Sequence, residues 1–400
     1  MTPTETPSSA NRPVQSTALT TGTATPVQED VLSGIRELLQ QEMQAWANGD
    51  AKSYQALLDL YAENPAWRIE ETNLFLATQG QTAARCPYID QQFLAQIPYQ
   101  AEVWRLETNR LGSLAMAIVF LDDPDSRNFD RSVARFYRRT VQGWLRTSPQ
   151  ESFWGNLQRM DSPTLRWIYR ERDANSVESS ALEVDRLYRQ LHQDLGLPQP
   201  EQSTRIFVYL PDRPCRLGLI QDSSVLSPEY FRPDYLNPSE TLKLRLAQIL
   251  VWKPVLLAAG GSPGIAGSNH GLPDEQSWNL VRGVTQFWQR QWAEIPRGLR
   301  FVRRVMLYEQ NQAGLDSLEN ALSDRYNPIS QDLLPAETVA VYIERRYGKQ
   351  ALIEVLQAIS QRLPWNLAIQ NTLEIDLETF EKGWHNFVMA TYHPLSETQP

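Results

Sequence analysis

The stretch RFYRRTVQGWLRTSPQESFWG, residues 135–155, decides how the first half of the chain is read. Aromatic and β-branched residues run to Thr140, Gln142-Gly143 breaks the run, and Trp144 to Thr147 resumes it, so two antiparallel strands meet at a tight turn. Working back toward the amino terminus, Ala101–Glu107, a turn at Asn109–Gly112, Ser113–Leu121 and Arg131–Thr140 extend this into a meander. Ahead of the meander Val31, Ile35, Leu38, Leu39, Met43 and Trp46 recur at helical steps, ending at Asn48-Gly49-Asp50. A short second helix carries Tyr54, Leu57, Leu58 and Tyr61. Helices followed by a curled sheet that its last hairpin closes give an α+β unit.

The segment AWANGDAKSYQALLD, residues 45–59, with the strands and the closing stretch above, resembles the nuclear-transport-factor-2-like (cystatin-like, SnoaL-type) fold over residues 29–157. The resemblance implies a small cone of helices on a curled sheet, in a superfamily of isomerases, dehydratases and pure binding modules. Its pocket would be lined by Asp50, Tyr54 and Trp104, with Tyr61, Tyr88 and Tyr99 as further acid or base candidates, in a domain without histidine. Arg131, Arg135, Arg138, Arg139 and Arg146 fall on neighbouring strands, where they read either as an anion site or as a solvated sheet face.

A second unit opens at residue 160. The strand Leu165–Tyr169 leads into a helix with Val177, Leu182, Val184, Leu187, Tyr188 and Leu191 on its apolar stripe, then the strand Arg205–Leu210. Helices dominate afterwards, at Ser239–Leu257, Glu275–Glu294, Leu299–Glu309, Ala336–Tyr347, Lys349–Arg362 and Asp376–Tyr392. The opening, the helix pair from Leu242 to Phe287 and the ending VYIERRYGKQALIEVLQAI with FEKGWHNFV resemble the peptidase MA-like domain of gluzincin metallopeptidases, over residues 160–392.

Such peptidases hold zinc with the two histidines of HExxH and a glutamate on the next helix, and the motif's own glutamate activates the metal-bound water. Aligned on this pattern, Gln248 and Trp252 stand where the histidines would be, Ile249 where the base would be, and Arg282 where the downstream glutamate would be. An amide is a poor zinc donor, an indole has no accessible lone pair and isoleucine accepts no proton. A guanidinium beside a divalent ion is repelled. The resemblance therefore implies a degenerate, metal-free domain whose former cleft serves as a binding surface. Trp278, Phe287, Trp288, Trp292 and Trp384 read as core or as a stacking platform. The loop GGSPGIAGSNHG lacks the lysine of a phosphate loop, and Ser262, Ser268 and His270 have no nucleophile-elbow context.

Composition narrows the functions further. A formal charge of −9, from 38 Lys and Arg against 47 Asp and Glu, provides no global field for nucleic acid. The four histidines include no i, i+4 pair, and Cys86 and Cys215 lie in no thiolate zinc spacing; a bridge between them is open but not implied. No apolar run is long enough to span a bilayer. Residues 1–28 are Thr-, Ser- and Pro-rich and read as a disordered leader without the pattern of an export signal; residues 393–400 read as a tail. The expectation is a cytoplasmic protein without cofactor or catalytic residues that binds a protein or peptide partner. Two alternatives stay open: a small molecule bound or converted in the amino-terminal pocket, and a metallopeptidase with unconventional ligands.

Overall fold

The computed structural model describes residues 26–78, 102–120, 132–200, 204–210, 224–231, 236–262, 270–292, 305–323 and 334–393. Cys86, Cys215, Tyr88, Tyr99, Arg131, Ser268 and most of the leader and tail lie outside these residues. The chain divides into one unit of Met1–Gly155 with Leu210–Ile220, and another of Asn156–Tyr209 with Gln221–Pro400. Among the described residues no helix is long and apolar enough to cross a membrane.

In the first unit α1 (Pro26–Asn48), α2 (Ala51–Ala56) and α3 (Pro65–Thr78) precede β1 (Glu102–Thr108), β2 (Leu114–Phe120), β3 (Ser132–Thr140), β4 (Gly143–Thr147) and the single turn α4 (Glu151–Trp154). The four strands form an antiparallel meander in the order β1-β2-β3-β4. Gly143 at φ 119° makes the β3–β4 turn, a conformation a side chain rarely adopts. Strand periodicity divides the sheet residues. Ala115, Ala117, Val119, Val133, Tyr137 and Trp144 pack against Val31, Ile35, Leu38 and Leu39 of α1, while Phe136 on the other face meets Phe153 and Trp154 of α4. The sheet is open, not closed by its last hairpin as the sequence suggested. The β4 edge is met by an isolated parallel bridge between Leu58 and Arg146, just past the end of α2.

In the second unit β5 (Leu157–Asp161) and β6 (Leu165–Arg170) form a hairpin, and β6, β7 (Thr204–Tyr209) and β8 (Ser224–Leu226) run parallel in a second four-stranded sheet. Parallel neighbours need a crossover, and α5 (Ala174–Asp194) supplies it between β6 and β7. The remaining helices are α6 (Pro238–Ala258), α7 (Glu275–Trp292), a stretch at 305–310, α8 (Leu318–Ala321), α9 (Pro335–Tyr347), α10 (Lys349–Ser360), α11 (Trp365–Leu373) and α12 (Leu377–Tyr392). A capping box between Asn237 and Glu240 starts α6. One apolar core joins β6 and β7 to the helices through Trp167, Val184, Leu246, Val284, Ile343, Leu356, Phe380 and Trp384. At Gly283 an added Cβ would sit 2.4 Å from the carbonyl of Ala336, so α7 and α9 pack backbone to backbone. The molecule is thus a mixed α and β protein with two small sheets and a helix-rich second unit.

Candidate functional site

The positions aligned with a zinc motif lie on α6 and α7, which pack against each other. Gln248 is exposed, and its carbonyl accepts a bond of 3.2 Å from the Gln289 amide. One turn further along α6, Trp252 meets Trp278 edge-on with ring centroids 4.9 Å apart. These two contacts set an antiparallel register in which Arg282, one turn after Trp278, belongs to the same face of α7. Ile249 is turned onto the core. Arg282 is half-buried, and its guanidinium donates to the side-chain oxygen of Asn279 at 3.2 Å, while the Asn279 amide holds the Leu322 carbonyl at 3.0 Å. His270 stacks on Trp278 at 4.4 Å and lies edge-on to Trp252 at 5.9 Å. The result is a half-buried ring cluster of Trp252, His270 and Trp278 bordered by Gln248 and Arg282. These side chains do not fit zinc: the amide points to solvent and the indole is engaged with other rings. Among the described residues no three His, Cys, Asp or Glu side chains are grouped to hold a metal ion. Of the other aromatic residues in this unit, Phe287, Trp288, Trp292 and Trp384 are core, whereas Trp278 belongs to the cluster.

The amino-terminal candidates separate. Asp50 is an exposed helix cap: its carboxylate accepts from the Lys52 and Ser53 amides at 3.1 and 3.0 Å and from the Ser53 hydroxyl at 2.6 Å. Those bonds, led by the Ser53 hydroxyl, hold its pKa below the ordinary value. It borders an open groove of about 530 Å³ with Gln40, Gln41, Gln44, Asn48 and Ser53, a groove that neither Tyr54 nor Trp104 lines. Trp104 is half-buried at the bulge of edge strand β1. Tyr54 is only 1 % exposed and points into the helix–sheet interface.

There Tyr54 joins a buried ionic network. Arg146 reaches Glu42 at 2.9 Å, Glu71 at 2.6 Å and the Tyr54 hydroxyl at 2.9 Å, and Arg135 reaches Glu42 at 2.6 Å. The Tyr54 hydroxyl in turn donates to Glu71 at 3.3 Å. Burial opposes the Arg146 charge, but Glu71, Tyr54 and Glu42 outweigh it and hold the guanidinium above the ordinary arginine value. Burial also pushes the Tyr137 phenol up to about 12 and the Tyr54 phenol further in the same direction. The four described members of the arginine run, Arg135, Arg138, Arg139 and Arg146, are each paired with a carboxylate. Arg135 and Arg146 serve inward carboxylates, Arg138 pairs with buried Asp59, and exposed Arg139 pairs with Asp30 at 3.0 Å.

The sequence reading passed over Glu42, Glu71 and Asp59, and over two carboxylates of the second unit. Asp173, just ahead of α5, is buried and accepts from the Ser227 hydroxyl at 2.6 Å, while Ser176 donates to Glu229 at 2.7 Å. Burial, with Glu229 nearby, pushes the Asp173 carboxyl up to about 7 despite the Ser227 bond. Asp185 has the opposite balance. Burial raises it, but the Thr164 amide at 2.7 Å, the Thr164 and Ser162 hydroxyls and Arg189 carry it below the ordinary value. A signal for Glu42 was present, since it falls four residues after Leu38 and three after Leu39, on the apolar stripe of α1. No known protein family, curated protein or solved structure matches this chain.

Proposed function

We propose that this chain acts by binding rather than by chemistry, as a cystatin-like unit joined to a degenerate peptidase-like unit whose α6–α7 face contacts a protein or peptide partner. The observation that carries this reading is the Trp252–His270–Trp278 ring cluster, flanked by exposed Gln248 and half-buried Arg282, around the residues that the sequence resemblance aligns with a gluzincin metal motif. Further support is the order of elements: β6–α5–β7 follows the edge strand β5, α6 and α7 pack as a pair, and Gly348 separates α9 from α10. A half-exposed aromatic group with polar neighbours suits a contact surface, because aromatic anchors supply large contact area at low entropy cost.

The test is a photo-crosslinking residue at Gln248, compared with one at exposed Glu354 on α10, in native extract. A discrete adduct formed at Gln248, absent at Glu354 and lost in Trp252→Ala supports the reading; equal labelling at both positions overturns it. Elemental analysis of the purified chain adds a second check, since about one tightly held zinc per chain would favour a peptidase with unconventional ligands. A second reading, small-molecule binding in the first unit, is favoured only by the polar groove at Asp50. A thermal shift with a ligand that vanishes in Asp50→Ala would promote it.

A further inference from the structure

One face of the second sheet is occupied by α5, and the other has a different chemistry. Leu165, Trp167 and Tyr169 of β6 and Ile206 and Val208 of β7 are buried in the core, so the residues between them face the other way. On that outer face Arg159 stands beside Ile168 and Ile168 beside Phe207, and in the adjoining row Asp161 stands beside Arg166 and Arg166 beside Arg205. Arg159, Asp161, Arg166 and Arg205 are exposed, Ile168 and Phe207 are half-buried, and Leu157 at the edge is 51 % exposed.

The charges on this face do not balance. Arg166 and Arg205 are direct cross-strand neighbours, an arrangement that destabilises a sheet. Asp161 relieves only Arg166, through a bond of 2.8 Å to its Nε. Among the described residues neither Arg159 nor Arg205 has a carboxylate partner. Three exposed guanidinium groups thus surround two apolar side chains on this sheet face, with half-buried Arg170 beside Leu157 in the next row, in a chain whose formal charge is −9.

We propose that this face docks an acidic segment of a protein partner, with carboxylates taken by Arg159 and by the Arg166–Arg205 pair and an apolar side chain laid over Ile168 and Phe207. A guanidinium fork takes a carboxylate through two parallel bonds. β5 and β7 lie two strand spacings apart, about 10 Å, and flexible arginine side chains extend that reach toward the roughly 13 Å between residues i and i+4 of an extended segment. Residue i+2 of such a segment then lies on the same side, over the apolar pair. Protein is favoured over a phosphate polymer because the acidic whole repels a dense polyanion at long range. This surface is independent of the α6–α7 face, so either can fail without the other.

The test uses the full chain and a fluorescent peptide with the repeat Glu-Ser-Leu-Ser-Glu, followed by anisotropy at low salt. Its counterpart with Gln for each Glu, a single-stranded oligonucleotide and phosphatidylserine vesicles serve as comparisons. The expected result is at least tenfold tighter binding of the acidic peptide than of its amide counterpart, and at least tenfold weakening in the Arg159→Gln/Arg205→Gln variant with its thermal unfolding unchanged. The single variant Arg205→Gln should show a smaller loss in the same direction. Equal affinity for the two peptides, or undiminished binding in the double variant, overturns the proposal. Tighter arginine-dependent binding of the oligonucleotide or the vesicles than of the peptide overturns it as well.

Discussion

The two units bury charge in different ways. In the first, the helix–sheet interface contains guanidinium and carboxylate groups facing one another, with Glu42 and Glu71 from helices and Arg135 and Arg146 from strands. In the second, the interior around Trp167, Phe380 and Trp384 is apolar, the carboxylates Asp173 and Asp185 are held by hydroxyls, with an amide and Arg189 added at Asp185, and buried Glu337 pairs with half-buried Arg290 rather than joining a quartet. A buried ion quartet fixes which strand residues meet which helix residues, because any other register strands a charge. An apolar core tolerates repacking but depends on volume.

The largest expected effect tests the first half of that contrast. Arg146→Met leaves Glu42 with Arg135 but takes the buried guanidinium away from Glu71 and the Tyr54 hydroxyl, so the first unit should lose about 3–5 kcal/mol in denaturant unfolding. A loss under 1 kcal/mol would mean the quartet is replaceable and the contrast is empty. Next comes Asp173. Its carboxyl keeps a proton up to about 7 when folded and loses it near 3.8 when unfolded, so the folded state binds more protons between those values. Stability of the second unit should therefore fall as pH rises from about 4 to 7. Asp173→Asn should remove that slope and stabilise the unit at pH 8 by up to roughly 4 kcal/mol, at about 1.4 kcal/mol for each of the roughly three pKa units between the folded and unfolded carboxyl. A slope that persists in the variant assigns it to other groups. Asp185, shifted down, makes the opposite contribution: stability present at neutral pH is lost as pH falls below the ordinary carboxylate range. A smaller loss is expected from Gly283→Ala. Its methyl would meet the Ala336 carbonyl, and the forced separation of α7 and α9 should cost about 1–3 kcal/mol; an unchanged midpoint would show that the packing there is slack.

Periodicity carried most of the fold. The strands at Ser113–Leu121 and Arg131–Thr140 and the helices at Ser239–Leu257 and Asp376–Tyr392 lie within a residue or two of β2, β3, α6 and α12. Elements without a clear period were not legible. β5 exposes alternate residues as an edge strand, β8 is three residues long, and α11 follows Pro364 in a run too short to show a stripe. α3 was missed, and Glu71 with it. The arginine run shows why a site is harder to read than a fold. Whether Arg135 meets solvent, a ligand or a carboxylate depends on what faces the strand, and here that is Glu42, distant by 93 positions. At the α6–α7 face the residue types were legible, whereas the stacking of His270 on Trp278 depends on a loop whose path periodicity does not encode.

The smallest effect on stability should come from Gln248→Ala. Its side chain is exposed, and its bond to α7 is one its backbone carbonyl accepts from the Gln289 amide, a carbonyl that alanine retains. Alanine is also the better helix former, so unfolding should shift by no more than about 0.5 kcal/mol in either direction. Trp252→Ala on the same face breaks the edge contacts to Trp278 and His270 and should destabilise the second unit measurably, though by less than the roughly 3–5 kcal/mol of a fully buried tryptophan, since Trp252 is only partly buried. The pair separates surface from scaffold. If the face is a contact surface, Gln248→Ala weakens partner capture at unchanged stability, and Trp252→Ala affects both. A Gln248→Ala chain that unfolds several kcal/mol more easily would place Gln248 in the support of the helix pair, and the contact surface would then have to be sought elsewhere on the second unit.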